Sequence, residues 1–280
     1  MTLRFAVIGS PVAHSRSPAM HGAAFRALGL PHTYEKIETS AEDLPARVDA
    51  LRAGTFAGLN VTVPHKSRVL DLVDAIDPSA AATGAANTLV RSPDGEVRAY
   101  NTDAPALRDE LVRLTNDDAT VFRGRSAIVL GSGGAARAAI FALGQLGVAR
   151  VIVRARKEKR ELADVLQGTA AVLSFEPLVA PGAEPQDLAA IVQATTAGMD
   201  GSSVPGGVVA DAVDWATVPA GCVVYDVVYA PPQTPLLARA SARGLTGDSG
   251  LGMLVGQGAL AFELWLGVKP PADVMRAALG

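Results

Sequence analysis

The chain has 280 residues, of which 49% are hydrophobic and only 5% aromatic, and its 25 Lys and Arg against 28 Asp and Glu leave a net charge of −3. Charge this close to balance supplies no global field for nucleic acid or an anionic membrane, so small-molecule chemistry is the expectation. The length exceeds the roughly 100 to 200 residues of a common single domain and predicts two, and an aliphatic, aromatic-poor composition suits an α/β fold with parallel strands covered by helices on both faces.

The first residues lack a long apolar stretch and a cleavage site, and no later segment reaches the roughly 18 unbroken apolar residues of a membrane span, so a cytoplasmic location is expected. An apolar run over residues 3–8 ends at Gly9 and predicts a strand; helical periodicity follows over 18–28, and 32–37 reads as a second strand. The pattern repeats with a helix over 41–51, a strand over 56–63 and, past Pro64, a helix over 65–75. Segments 88–91 and 96–100 flank Ser92-Pro93-Asp94-Gly95, in which proline presets φ and glycine accepts positive φ, and so predict a hairpin.

A second series starts after the polar stretch 115–120, with a strand over 126–130, a helix over 134–146 and a strand over 151–153. Further strands are expected over 170–174, 191–194 and 222–227, separated by Pro- and Gly-rich loops at 180–185 and 201–207. Cys222, the only cysteine, begins an apolar run and reads as a core thiol, and no disulfide is possible within the chain. A long helix over 251–266 is expected to return to the first domain. The division is therefore 1–106 with 248–280 as one domain and 107–247 as the other.

The sharpest local signal is Gly131-Ser132-Gly133-Gly134-Ala135-Ala136-Arg137, which follows one predicted strand and opens a helix. Gly131 permits the tight turn, Gly133 lets a pyrophosphate approach the backbone, and free N–H groups at the helix start face the anion. About 20 residues on, where an NAD enzyme places an acidic residue against the ribose, this chain carries Arg154-Ala155-Arg156-Lys157-Glu158-Lys159-Arg160, a better match to a 2′-phosphate. Arg154, Arg156 and Lys159 are the candidate clamp, NADP is the expected cofactor, and NAD is the alternative.

Polar residues also gather in the first domain. Ser15 and Ser17 precede Pro18, and Ser17 reads as a helix N-cap near a site suited to a carboxylate. Asn60 and Thr62 share one face of a strand, and Lys66 follows the bend at Pro64, so the three are expected to converge at a strand end, where open α/β sheets bind ligands. The four histidines His14, His21, His32 and His65 are too scattered to form an evident metal-ligand set.

Taken together, His14 to Pro18, Asn60 to Lys66, Gly84 to Thr88, Asn101-Thr102-Asp103, the glycine loop and Met253 to Gln257 resemble the shikimate dehydrogenase family from end to end. The resemblance implies an N-terminal αβ substrate domain and a Rossmann-like dinucleotide-binding domain, with the active site in the cleft between them. It implies that Lys66 and Asp103 form the catalytic pair and that Ser15 and Ser17 hold the shikimate carboxylate. Asn60, Thr62, Asn87 and Gln257 would surround the ring hydroxyls and Tyr229 would reach the substrate. Gly131, Ser132, Gly133, Gly134, Ala135, Thr195 and Gly250 would line the cofactor. The implied activity is reversible reduction of 3-dehydroshikimate to shikimate in aromatic amino acid and chorismate biosynthesis, by a monomer or homodimer with no metal.

The chain also departs from the family pattern. Its clamp reads Arg154-Ala155-Arg156, Pro105 and Ala106 follow the Asn-Thr-Asp block, Gln193 replaces an asparagine, and Ser249-Gly250 stands before the last long helix. An NAD-dependent quinate/shikimate dehydrogenase or an aminoshikimate relative shares the same residues. A non-catalytic NADP-binding regulatory module would keep the scaffold and lose the chemistry, and the presence of both Lys66 and Asp103 with the polar ring-binding set speaks against it.

Overall fold

The computed structural model describes residues 2–179 and 182–280; Ala180 and Pro181, at the head of the loop expected over 180–185, lie outside the described residues. The α/β chain forms two compact units, Met1–Asp103 with Leu254–Gly280, and Ala104–Met253. The second unit thus starts a few residues before the expected position and runs a few residues beyond it.

In chain order the first unit contains β1 (Arg4–Gly9), α1 (Ser17–Ala27), β2 (Thr33–Glu38), α2 (Leu44–Arg52), β3 (Gly58–Val61), β4 (Ala75–Ile76), α3 (Pro78–Thr83), β5 (Thr88–Arg91) and β6 (Val97–Tyr100). They build a six-stranded sheet in the order β2-β1-β3-β5-β6-β4. Strands β2, β1 and β3 are parallel, β5 runs antiparallel to β3 and β6, and the predicted hairpin turns at Gly95 with φ +98°. Because β5 alone of the central strands is reversed, the end of β3, the start of β5 and the end of β6 lie along one rim of the sheet. Ala6, Ile8, Leu59 and Val61 pack from the strands onto Leu44, Val48 and Leu51 of α2.

The helix expected over 65–75 is not formed. A single 3₁₀ turn, Arg68–Asp71, is followed by β4, which pairs with β6, while the Asp74 carboxylate accepts the Val97 N–H at 2.8 Å and binds Arg52. Asp71 and Asp74 would also sit at the C-terminal end of that helix, where the dipole opposes negative charge. Instead α3 forms just beyond, with the Asp77 side chain accepting the Ser79 N–H and Gly84 closing the helix in the left-handed conformation.

The second unit takes in α4 (Asp103–Leu114) from Ala104, then β7 (Ser126–Leu130), α5 (Gly134–Gln145), β8 (Arg150–Ala155), β9 (Val172–Pro177), β10 (Leu188–Gln193), α6 (Gly207–Ala210), β11 (Val223–Asp226), α7 (Pro235–Ala242) and β12 (Gly247–Ser249). The chain passes back to the first unit within α8 (Leu251–Leu266) and ends in α9 (Ala272–Ala277). All pairings of the second sheet, β12-β11-β10-β7-β8-β9, are parallel, which is the doubly wound order with its switch point between β7 and β10. Successive strand residues feed opposite faces: Ala127, Val129, Val151 and Val153 enter one apolar cluster, Ile128, Leu130 and Ile152 the other. That two-sided burial is why these strands read as continuous apolar runs.

Candidate active site

In the first unit, Asn60 and Lys66 are joined through Asn87 and Asp103 along the rim formed by β3, β5 and β6. Lys66 Nζ lies 2.6 Å from Asp103 Oδ2, and their side chains are 15% and 6% exposed. Asp103 is set by its place at the start of α4 and by Asn87 Nδ2, which donates to Asp103 Oδ1 at 2.9 Å. The same amide nitrogen lies 2.8 Å from Thr102 Oγ1 and 3.2 Å from Gln257 Oε1, while Asn87 Oδ1 accepts the Thr102 N–H at 2.7 Å. Gln257 in turn donates from Nε2 to the Leu254 carbonyl at 2.8 Å, one turn back along α8. The carboxylate and the ammonium are therefore held by residues from three separate chain segments.

Asn60 is buried, and its amide is engaged within the protein: Nδ2 donates to Asn87 O at 3.0 Å and to Thr88 Oγ1 at 3.1 Å, and Oδ1 accepts the Tyr34 hydroxyl at 2.7 Å. With both amide protons occupied, its remaining capacity toward a ligand is one acceptor lone pair on Oδ1. Thr62 follows β3, and a Cβ added to Gly9 would fall 2.3 Å from its methyl carbon, so only glycine at the end of β1 lets the two strand ends approach. Ser15 Oγ lies 3.2 Å from Ser17 Oγ and accepts the Ser17 N–H at 3.3 Å. Ser17 is thus the first residue of α1 rather than its N-cap. Arg16 takes the flanking position, and the Ser15 hydroxyl binds the backbone instead.

Sequence reading missed Tyr34, Thr88 and Thr102 in this set. Thr88 and Thr102 lie within the Asn-Thr and Asn-Thr-Asp blocks, where register could have placed them. Tyr34 has no motif around it, and only the pairing of β2 with β1 brings it to the site.

In the second unit, Gly131 lies at the switch point with φ +118°, and an added Cβ would fall 2.6 Å from Thr195 Cγ2 and 3.1 Å from the Ala194 carbonyl. The glycine loop thus touches the segment after β10, which carries Thr195. Gly133 precedes α5, no side chain among the described residues caps that helix, and an added Cβ at Gly133 would meet nothing within 4 Å. Ser132, Gly134 and Ala135 are half-buried there, while Ala136 is fully buried against the sheet. Gly250 is confined too, because a Cβ there would lie 2.1 Å from the Val227 carbonyl. A positive-φ glycine turn, an uncapped helix start and open space at Gly133 fit a dinucleotide pyrophosphate.

The expected clamp needs correction. Arg154 is 1% exposed and turned into the protein, where it makes two bonds to Glu184 at 2.7 and 2.8 Å, one to Glu176 at 2.9 Å and one to the Ala212 carbonyl at 2.9 Å. A guanidinium so occupied has no fork to offer a phosphate. Arg156 and Lys159, past the end of β8, are exposed. Tyr229 follows β11 and is half-buried in this unit. Nearby, Asp226 accepts Thr234 Oγ1, the Val228 N–H and Gln193 Nε2, and burial raises its pKa to about 6 against those bonds.

Comparison with known proteins gives the family of the chain. The family model for the shikimate dehydrogenase substrate binding domain matches residues 7–89, and that for the shikimate 5′-dehydrogenase C-terminal domain matches 250–279. A protein of Citrifermentans bemidjiense named shikimate dehydrogenase (NADP(+)) is 41% identical over 279 residues, covering 98% of this chain and 93% of its own. The Thermus thermophilus shikimate 5-dehydrogenase, solved in complex with NADP(H) and shikimate, aligns with a TM-score of 0.80 at 37% identity over 99% of this chain and 98% of that one. A 5-ketofructose reductase of Gluconobacter sp. strain CHM43 aligns with a TM-score of 0.84 at 29% identity over 100% of this chain and 98% of that one. Near-complete coverage at this identity, with the Lys66–Asp103 pair and the glycine turn in place, shows that the chain belongs to the shikimate dehydrogenase family.

Proposed function

We propose that the chain is an NADP-dependent shikimate dehydrogenase that reversibly reduces the ketone of 3-dehydroshikimate to the alcohol of shikimate, within aromatic amino acid and chorismate biosynthesis. The observation that carries this reading is the 2.6 Å Lys66–Asp103 pair, braced by Asn87 and surrounded by amide and hydroxyl side chains. The cofactor, when bound, supplies the hydride. The ammonium of Lys66 hydrogen-bonds the ring carbonyl oxygen, stabilises the negative charge that develops on it and hands over the proton that completes the alcohol. Asp103 orients that ammonium and accepts a neighbouring ring hydroxyl on a lone pair that Asn87 leaves open.

Ser15 and Ser17 bind the carboxylate, Asn60 and Thr62 the ring hydroxyls, and Gln257, through Asn87, keeps the far side of the ring pocket in place. Tyr229 joins the substrate set on family resemblance. Gly131 to Ala135, Thr195 and Gly250 line the dinucleotide, and the exposed Arg156 and Lys159 meet its 2′-phosphate. The first unit is thus the substrate domain and the second the nucleotide domain, in a cytoplasmic monomer or homodimer.

A matrix of initial rates tests the reading: shikimate, quinate and the reduced form of 5-ketofructose, each with NADP and NAD. The highest kcat/KM is expected for shikimate with NADP. A matrix dominated by quinate and NAD, or by the ketose pair, would replace the assignment.

A further inference from the structure

Tyr34 lies outside every motif that marks the site, yet it is bonded to it. Its hydroxyl donates to Asn60 Oδ1 at 2.7 Å, and Asn60 spends both amide protons on Asn87 O and Thr88 Oγ1. The other face of the phenol is occupied by His21, whose ring stacks on it with centroids 4.5 Å apart and planes 7° from parallel. His21 is one turn after Ser17 on α1, and residues four apart share a helix face. The stack therefore sets how α1, and with it Ser17, stands over Tyr34. Burial holds the phenol pKa well above its usual value, the Ser17 side chain opposing this only in part, so the hydroxyl stays protonated as the donor to Asn60.

The geometry points to Tyr34 as a positioning residue that ties the carboxylate end of the pocket, through Ser17 and His21 on α1, to the ring-hydroxyl end at Asn60. Donation from Tyr34 keeps the Asn60 oxygen turned toward the pocket rim and the nitrogen turned inward, so that Asn60 meets a substrate hydroxyl only as an acceptor. Phenylalanine at this position keeps the ring against His21 and removes the hydroxyl's bond to Asn60. The consequence is specific: affinity for the ring acid falls while the Lys66–Asp103 pair and the nucleotide region are untouched.

This rests on the shikimate dehydrogenase reading, and kinetics of the whole chain separate the two. Absence of shikimate oxidation by the unaltered enzyme rejects the reading itself. Given that activity, Tyr34→Phe is expected to raise KM for shikimate roughly threefold to tenfold, the loss of about one net hydrogen bond, with kcat and KM for NADP within about twofold and the melting temperature nearly unchanged. In a Ser17→Ala background the same change should cost less than it does alone, because the two side chains act together. An unchanged KM for shikimate, a product of independent effects in the double variant, or a rise in KM for both substrates with a lowered melting temperature would each overturn the positioning role.

Discussion

Replacing His21 by phenylalanine should remove much of the acid sensitivity of the first unit. His21 is fully buried, its two ring nitrogens have no hydrogen-bond partner among the described residues, and its ring is enclosed by Tyr34, Phe25, Phe262 and Trp265. Burial lowers its pKa from 6.5 to about 3. The folded-state value is thus depressed, so the neutral ring contributes stability that is complete above pH 6.5 and is lost as pH falls toward 3. Between those limits the unfolded chain binds the extra proton, and each pH unit costs about 1.4 kcal/mol, or about 3 kcal/mol at pH 4.5.

His21→Phe keeps the stacked ring and carries no proton. The assay is urea unfolding at pH 7.5, 6.5, 5.5 and 4.5, in a Trp215→Phe background that leaves Trp265, 5.5 Å from His21, as the only indole. Wild type and variant are expected within about 1.5 kcal/mol of each other at pH 7.5, with the variant gaining about 3 kcal/mol on the wild type by pH 4.5. Parallel stability curves over that range would show that the imidazole either is not buried neutral or gains a partner when charged.

Lys66→Ala should lower turnover by roughly 100-fold or more with little change in KM for shikimate, and steady-state turnover near wild type would remove Lys66 from proton transfer. Arg154→Ala should destabilise the second unit by about 3–5 kcal/mol, because it strands the buried Glu184 carboxylate, whereas Arg156→Ala should leave the melting temperature alone and raise KM for NADP. The opposite pattern would restore Arg154 to the clamp. Gly131→Ala places a Cβ 2.6 Å from Thr195 Cγ2 at φ +118°, and should cost about 1–3 kcal/mol while weakening NADP binding measured by fluorescence titration. Unaltered binding would mean that the loop does not meet the pyrophosphate.

Several elements are legible from local chemistry alone. The buried strands β7, β8, β10 and β11 announce themselves as apolar runs because both of their faces are covered, and α8 matches its predicted span because its apolar periodicity is long. The hairpin at 88–100 follows from its Pro-Asp-Gly turn, and the glycine loop from its place between a strand and a helix. The region 65–84 was not legible in the same way. A two-residue strand and a six-residue helix are too short to show a period, and β4 exists only because β6 offers it partners.

The amino-acid order by itself determined the α/β class and the motifs that name the candidate residues of both sites, because motifs bring together side chains a few positions apart. Tertiary structure alone decided which cation of the string after β8 faces inward and which tyrosine supports the pocket. Arg154 points inward because Glu184, thirty residues away, supplies the countercharge that burial of a guanidinium requires. Tyr34 reaches Asn60 because parallel pairing of β1 with both β2 and β3 sets Tyr34 two residues behind Asn60 in register on the strand beyond β1, a proximity that no local spacing encodes.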